Sequence, residues 1–96
     1  MPDQVTASAT VATAAPQRYI KQLAAHLGHR AEVREEDDGV RIVLGQGSCL
    51  LQSGDGAIEM RAEAPDAEAL DVVTDVVGRH LERFGQRNEL TVTWLR

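Results

Sequence analysis

The sequence predicts an α+β domain in which two helices pack on one face of an antiparallel sheet. Three observations predict this class. The elements follow the order strand, helix, four strands, helix, strand; glycines mark three tight turns between the four central strands; and each predicted element has one apolar side. Elements with a single apolar side are stabilised when those sides pack together in two layers. No linker or repeat divides the 96 residues, so residues 1–96 form one domain, with a core over about 5–95.

The first two predicted elements are a strand and a helix. Residues 5–12 alternate apolar and polar side chains, which is typical of a half-buried strand, although their alanines and threonines also fit a floppy tail. Pro16 opens the helix at a position that proline favours, and Gly28 ends it. Its apolar residues at helical spacing are Tyr19, Ile20, Leu23 and Leu27.

Residues 31–64 are predicted to form four strands joined by turns in which glycine supplies a positive φ. The turns are Asp38-Gly39, Gln46-Gly47, and either Gly54-Asp55 or Asp55-Gly56. Directly opposed residues share a face, so the turns define two inner rows and an outer one. The inner rows are Val33, Leu44, Cys49, Met60 and Ile42, Leu51, Ile58; the outer row is Arg34, Val43, Leu50, Glu59. Choosing Asp55-Gly56 slips the last pairing by two residues and keeps the faces.

A helix over residues 66–84 and a strand over residues 90–94 complete the chain. The helix has acidic residues near its N-terminus and basic residues near its C-terminus, which complements its dipole, and Gly85 ends it. Its apolar stripe is Leu70, Val73, Val77, Leu81 and Phe84, widened by Val72 and Val76. In the strand, Leu90, Val92 and Trp94 alternate with threonines, which predicts one buried side.

Composition and charge argue against several classes of partner. The chain has 10 basic and 15 acidic residues and a net charge of −5, which disfavours nonspecific binding to nucleic acid or anionic membranes. No apolar stretch approaches the roughly 20 residues that span a bilayer. The N-terminus lacks the basic residues and apolar run of a signal peptide, and the single cysteine, Cys49, cannot form an intramolecular disulfide. We therefore expect a soluble, cytoplasmic protein without nucleic-acid or membrane partners.

The three histidines are the candidate metal ligands. Neutral imidazoles bind zinc, iron or copper, and His26 and His29 are close in sequence, while His80 lies on the second helix. Gly28 ends the first helix between His26 and His29, so the two are not expected on one helical face. No glutamate follows His26 as it does in a helical zinc protease site. In the alternative, His29 is solvated, His26 lines its helix and His80 neutralises a helix C-terminus. No nucleophile–base pattern or phosphate loop is present, so we expect no catalytic residue and no cofactor.

Two aliphatic residues on the charged outer face form a candidate interface. The turns place Val43 directly opposite Leu50, and Leu95 has outward parity on the last strand. If the three lie together, the surrounding arginines and glutamates would form a self-complementary polar rim for a homodimer or a partner domain. The alternative is that these are scattered exposed apolar residues.

Longer stretches resemble known proteins. The element order resembles an elaborated ferredoxin-like fold and also the helix-and-curved-sheet unit of TATA-binding protein. The segments RYIKQL at 18–23, RAEAPD at 61–66 and VVGRHLERF at 76–84, followed by LTVTW at 90–94, resemble the bacterial family called domain of unknown function 2218. The resemblance covers residues 5–95. Gly28 departs from the pattern, because the family often has a larger residue there.

The resemblance implies which proteins this domain occurs with, but it does not imply an activity. The family has no assigned substrate or catalytic residue, so no role carries over to a position of this chain. Similar domains occur joined to, or encoded near, siderophore-interacting flavin reductases. We therefore expect a small accessory or binding domain without catalytic activity. It would self-associate or dock to a partner, for example a siderophore-interacting reductase. The alternative is a protein that handles metal or iron–siderophore complexes through His26, His29 and His80.

Overall fold

A computed structural model describes residues 4–36, 39–88 and 90–96. The strands are β1 (Val5–Ala12), β2 (Glu32–Glu36), β3 (Gly39–Leu44), β4 (Gly47–Gly54) and β5 (Ala57–Ala64). The helices are α1 (Pro16–Leu27) between β1 and β2, and α2 (Ala67–Phe84) after β5, followed by a short 3-10 helix (Gln86–Asn88). The predicted α+β class is confirmed. None of the helices in the described residues is long and apolar enough to cross a membrane.

The strands form one sheet in the order β1-β5-β4-β3-β2. All ladders among the described residues are antiparallel. Antiparallel ladders are common to both arrangements considered from the sequence, because the two parallel strands of a split βαβ unit are separated by an antiparallel strand.

Both helices pack on the same face of the sheet, and the core lies between the two layers. In β1 Ala7, Ala9 and Val11 are buried and Val5 is half-buried, alternating with exposed residues, so the predicted strand replaces the floppy-tail alternative. The residues predicted to point inward do so, with Val33 and Leu44 half-buried. The fully buried large side chains include Leu23, Ile42, Leu51, Ile58, Leu70 and Leu81.

The pairing registers of β2 with β3 and of β3 with β4 differ from the prediction by two residues, whereas β4 pairs with β5 in the register that the Asp55-Gly56 choice predicts. Val33 pairs with Ile42 rather than Leu44, and Leu44 pairs with Gly47 rather than Cys49. Gly39 is the first residue of β3, and Asp38 of the expected first turn lies outside the described residues. Because side chains alternate with a period of two, a slip of two residues leaves every face unchanged.

Glycine has two different uses in these hairpins. Gly45, with a φ of 63°, and Gly56, with a φ of 71°, occupy turns that require a left-handed residue, so the second turn is Gly45-Gln46 and the third is Asp55-Gly56. Gly47 is instead buried under α2, where a Cβ atom would lie 2.6 Å from Val73 Cγ2. The predicted Gln46-Gly47 turn is wrong because Gly47 serves close packing.

The two helices begin and end close to the predicted positions. Pro16 opens α1, but Gly28 ends it with a right-handed φ of −61° rather than the left-handed conformation expected of a glycine stop. Asp66 caps α2 by accepting a hydrogen bond from the Ala69 N–H at 2.8 Å. Val76 is half-buried and packs against the core, as predicted, but Val72 is 52% exposed and does not widen the buried stripe.

The predicted strand over residues 90–94 is wrong, although its apolar side is correct. Leu90, Val92 and Trp94 are half-buried and pack against the core. Only Leu95 forms a β-bridge, exchanging two hydrogen bonds with Ser8 on β1 at 2.7 and 2.8 Å. The Val92 N–H donates to the Glu82 carboxylate on α2 at 2.9 Å instead of to a strand, which holds the segment against the helix.

Candidate functional site

The sheet face that the helices leave uncovered carries rows of side chains that run across the strands. We call this surface the outer face. Its central row, the arginine row, follows the ladders through Ser8, Arg61, Leu50, Arg41 and Arg34. The row on one side contains Thr6, Glu63, Ser48, Val43 and Glu32; the row on the other contains Thr10, Glu59, Gln52 and Glu36. Cationic side chains are thus flanked by carboxylates on both sides.

Arg34 and Arg41 lie directly opposite each other, an arrangement of like charges that ordinarily destabilises a strand pair. Each is compensated by a carboxylate of its own. The Arg34 guanidinium donates to Glu32, which raises the pKa of Arg34 and lowers that of Glu32. The Arg41 guanidinium donates to Glu36 at 2.9 Å and to Ser48 Oγ at 3.0 Å, and the bond that Glu36 accepts raises the pKa of Arg41.

Arg61 and Glu59 have no such compensation. Both are exposed on β5, and neither forms an ion pair with another residue in the part of the chain that the structure describes. Glu63, the next carboxylate along the strand, lies 3.5 Å from Arg41 Nη1. The outer face therefore presents one uncompensated cation and one uncompensated anion side by side.

The three aliphatic candidates for an interface do not form one patch. Val43 pairs with Ser48 and Leu50 with Arg41, so Val43 and Leu50 are diagonal neighbours and not directly opposed as predicted. Both are half-buried. Leu95 is 69% exposed, but Ser8 and Arg61 separate it from Leu50, a distance of three strand spacings, or about 14 Å.

Two of the three histidines come together where the C-terminal ends of the helices meet. The ring centroids of His26 and His80 lie 5.1 Å apart, and Phe84 packs edge-on against His26 at 5.3 Å. His29 is exposed in the turn after α1. The described residues contain no group of three or more His, Cys, Asp or Glu side chains arranged to hold a metal ion. Sequence spacing did not indicate the pairing, because His26 and His80 are on different helices.

His80 has a fixed hydrogen-bonding arrangement. Its Nδ1 lies 2.7 Å from the Val76 carbonyl oxygen, one turn earlier in α2. A carbonyl oxygen only accepts hydrogen bonds, so Nδ1 carries the proton and the neutral ring has its lone pair on Nε2. This nitrogen is the one available to a ligand.

Cys49 is buried among core side chains of the opposite face. Its side chain is fully inaccessible, and burial raises the pKa of the thiol to about 12. A thiol held in its neutral form is a poor nucleophile and a poor metal ligand. The interpretation of Cys49 as a small buried hydrophobic residue is therefore consistent with its surroundings.

An open groove of about 680 Å³ between α2 and the C-terminal segment was not predicted from the sequence. Its apolar wall includes Val72, Val92 and Trp94. The carboxylates along it are engaged: Asp75 pairs with Arg79 at 2.7 Å, and Asp71 pairs with Arg96. Its shape depends on where residues 90–96 lie, and the alternation of that segment predicted a strand instead.

Comparisons with known proteins agree with this architecture. The NMR structure of PA4090 from Pseudomonas aeruginosa superimposes with a TM-score of 0.77 at 28% sequence identity, covering 94% of each chain. A search of curated proteins found no match. The family model of DUF2218, described as an uncharacterized protein conserved in bacteria, matches residues 8–95. The chain therefore belongs to the DUF2218 family.

Proposed function

We propose that the chain is a docking domain without catalytic activity, and that its outer face binds a second copy of the same chain. The observation that carries the proposal is the pair of uncompensated charges, Arg61 and Glu59, on the one sheet face that no helix covers. A domain that presents complementary charges in one patch is suited to isologous association, in which each copy contributes the same surface.

The row pattern determines which symmetry fits. One possible two-fold axis lies in the interface, perpendicular to the strands and midway between the arginine row and the row that contains Glu59. This axis places the arginine row of each copy against the Glu59-containing row of the other. Arg61 of each copy then faces Glu59 of the other, and Arg34 faces Glu36. An axis along the strands would instead oppose arginine with arginine, and like charges in contact are unfavourable.

The size of the face limits the strength of the dimer. Five strands at about 4.8 Å spacing, and about 26 Å of strand length, give at most about 600 Å² for each copy. The total of about 1,200 Å² is at the lower end of specific interfaces. We therefore expect a reversible dimer that weakens as salt screens the ion pairs.

Sedimentation velocity over a range of concentrations tests the proposal. The wild type should shift from monomer to dimer, while Arg61→Glu should remain monomeric. Arg18→Glu makes the same charge change at an exposed position of α1, on the other side of the sheet. This variant is the matched control and should behave as the wild type. A wild type that stays monomeric at millimolar concentration, or an Arg61→Glu variant that dimerises normally, would contradict the proposal. If the wild type does not self-associate but binds a siderophore-interacting reductase, and Arg61→Glu abolishes that binding, the outer face binds the reductase and not a second copy of the chain.

Handling of metal or iron–siderophore complexes is the second candidate function, favoured by the approach of His26 and His80. A ferric siderophore that bound through the histidines would raise the melting temperature of the wild type, and less so that of His26→Gln, His29→Gln or His80→Gln. An unchanged melting temperature with a ferric hydroxamate or catecholate complex would remove the siderophore version of this candidate.

A further inference from the structure

We infer that His26 and His80 form a two-imidazole site for one divalent metal ion of the copper, nickel and zinc class. The inference deepens the second candidate function and rests on it. It is independent of the docking proposal, because the histidines lie on the helices and the outer face is on the opposite side of the sheet. It excludes His29, so it differs from the three-histidine arrangement expected from the sequence.

The separation of the two rings matches what shared coordination requires. A metal ion bound at about 2.0–2.1 Å from a ring nitrogen lies about 3.2 Å from the ring centroid, so two imidazoles at a tetrahedral angle have centroids about 5.2 Å apart. The observed separation is 5.1 Å. The spacing of the two rings therefore leaves room for one ion between them.

The hydrogen bond of His80 prepares one ligand. Histidines that bind metals usually donate their other ring N–H to a carbonyl or carboxylate, which fixes the tautomer and the ring orientation. His80 has this bond, from Nδ1 to the Val76 carbonyl. His26 is exposed on the last turn of α1 and can turn either nitrogen toward an ion.

The electrostatics of the position also favour a cation. His26 lies in the last turn of α1, and Phe84, the last residue of α2, packs against it. Two helix C-termini, each with a partial negative charge, therefore meet at the site. Two neutral nitrogen ligands suit copper, nickel or zinc better than the hard ferric ion of a siderophore complex, and the remaining coordination positions stay open to water or a ligand in solution.

Isothermal titration of the untagged full chain with Cu²⁺, Ni²⁺ and Zn²⁺ tests the inference. We expect one ion per chain, with affinity decreasing from Cu²⁺ to Ni²⁺ and Zn²⁺, and falling on acidification as protons compete for the ring nitrogens. His26→Gln and His80→Gln should each weaken binding by at least about tenfold, since replacing an outer hydrogen-bond partner alone costs that much. His29→Gln is the matched control and should bind as the wild type.

A second measurement keeps the test valid if a variant is less stable. In NMR spectra of the wild type, Zn²⁺, which is diamagnetic, should shift the ring signals of His26 and His80 and leave those of His29 nearly unchanged. Equal shifts of all three, absence of binding by the wild type, or full affinity in His80→Gln would overturn the inference. If a ferric siderophore stabilises the protein while the divalent ions do not bind, the inference fails and the second candidate function survives.

Discussion

Glu59 and Arg61 lie on the same face of β5, separated by one residue, and neither forms an ion pair among the described residues. Glu32 and Arg34 have the same spacing on β2 and do pair. The difference shows that a glutamate and an arginine two residues apart on one strand face do not always form an ion pair. This agrees with the small net free energy that exposed ion pairs contribute. Both charges on β5 therefore remain available to a second molecule.

The Glu32–Arg34 pair predicts a displaced titration. The hydrogen bond from Arg34 lowers the pKa of Glu32, so its carboxylate form is retained to lower pH than that of an ordinary glutamate. The pair stabilises the folded protein slightly at pH values above the ordinary pKa of a glutamate. This stabilisation is lost as the pH falls through the lowered pKa of Glu32. NMR titration of the side-chain carboxyl carbon should show this, and Arg34→Gln should return it to its usual range. An unchanged titration in Arg34→Gln would show that the contact does not form in solution.

Cys49 predicts a change of stability in alkali. Burial raises the pKa of the thiol to about 12, whereas in the unfolded chain the thiol loses its proton near its ordinary pKa of 9.0. The unfolded state therefore binds fewer protons between these values, and the free energy of unfolding should fall as pH rises, by at most about 1.4 kcal/mol per unit from this group. Denaturant titrations should show a shallower fall for Cys49→Ala. Equal slopes in the two proteins would contradict the buried thiol.

Gly47 predicts a cost of overpacking. A Cβ atom there would lie 2.6 Å from Val73 Cγ2 and 2.7 Å from the Glu63 carbonyl oxygen, so Gly47→Ala should destabilise the fold by about 1–3 kcal/mol. Gly45→Asn is the control, because that position is open and asparagine tolerates its positive φ. Urea unfolding distinguishes them: a larger loss for Gly45→Asn than for Gly47→Ala would reverse the roles assigned to the two glycines.

Asp66 predicts the contribution of the α2 cap. Asp66→Ala removes the hydrogen bond to the Ala69 N–H and should cost about 1 kcal/mol, whereas Asp66→Ser retains an acceptor and most of the stability. Thermal unfolding followed by circular dichroism measures both. Equal losses in the two variants would indicate that the side chain acts through something other than capping.

The faces of the strands could be predicted from the sequence, but the register of the first two central hairpins could not. Alternation shows which side of a strand is apolar, and Cys49, Leu51 and Met60 are buried as that pattern predicts. A glycine in the sequence does not reveal whether it provides a positive φ, as Gly45 does, or room for a neighbouring helix, as Gly47 does. Choosing the wrong role moves the turn and slips the register by two residues.

The C-terminal segment and the histidine pair depend on tertiary contacts. Trp94 lies against α2, where a Cβ on Gly78 would be 3.1 Å from its indole nitrogen, and residues 90–94 form no strand. The pairing of His26 with His80 requires the ends of α1 and α2 to meet, and sequence spacing carries no information on how two helices approach. The charges of the outer face were visible in the sequence, but which of them remain uncompensated was not.

The most direct test of the docking proposal is to mix two variants. Arg61→Glu places two glutamates opposite each other in a dimer, and Glu59→Arg places two arginines opposite each other, so each variant alone should be monomeric by sedimentation velocity. An equimolar mixture restores opposite charges at both contacts and should form a heterodimer with about the wild-type affinity. If the wild type dimerises and the mixture remains monomeric, Arg61 and Glu59 do not face each other across the interface, and the central claim is wrong.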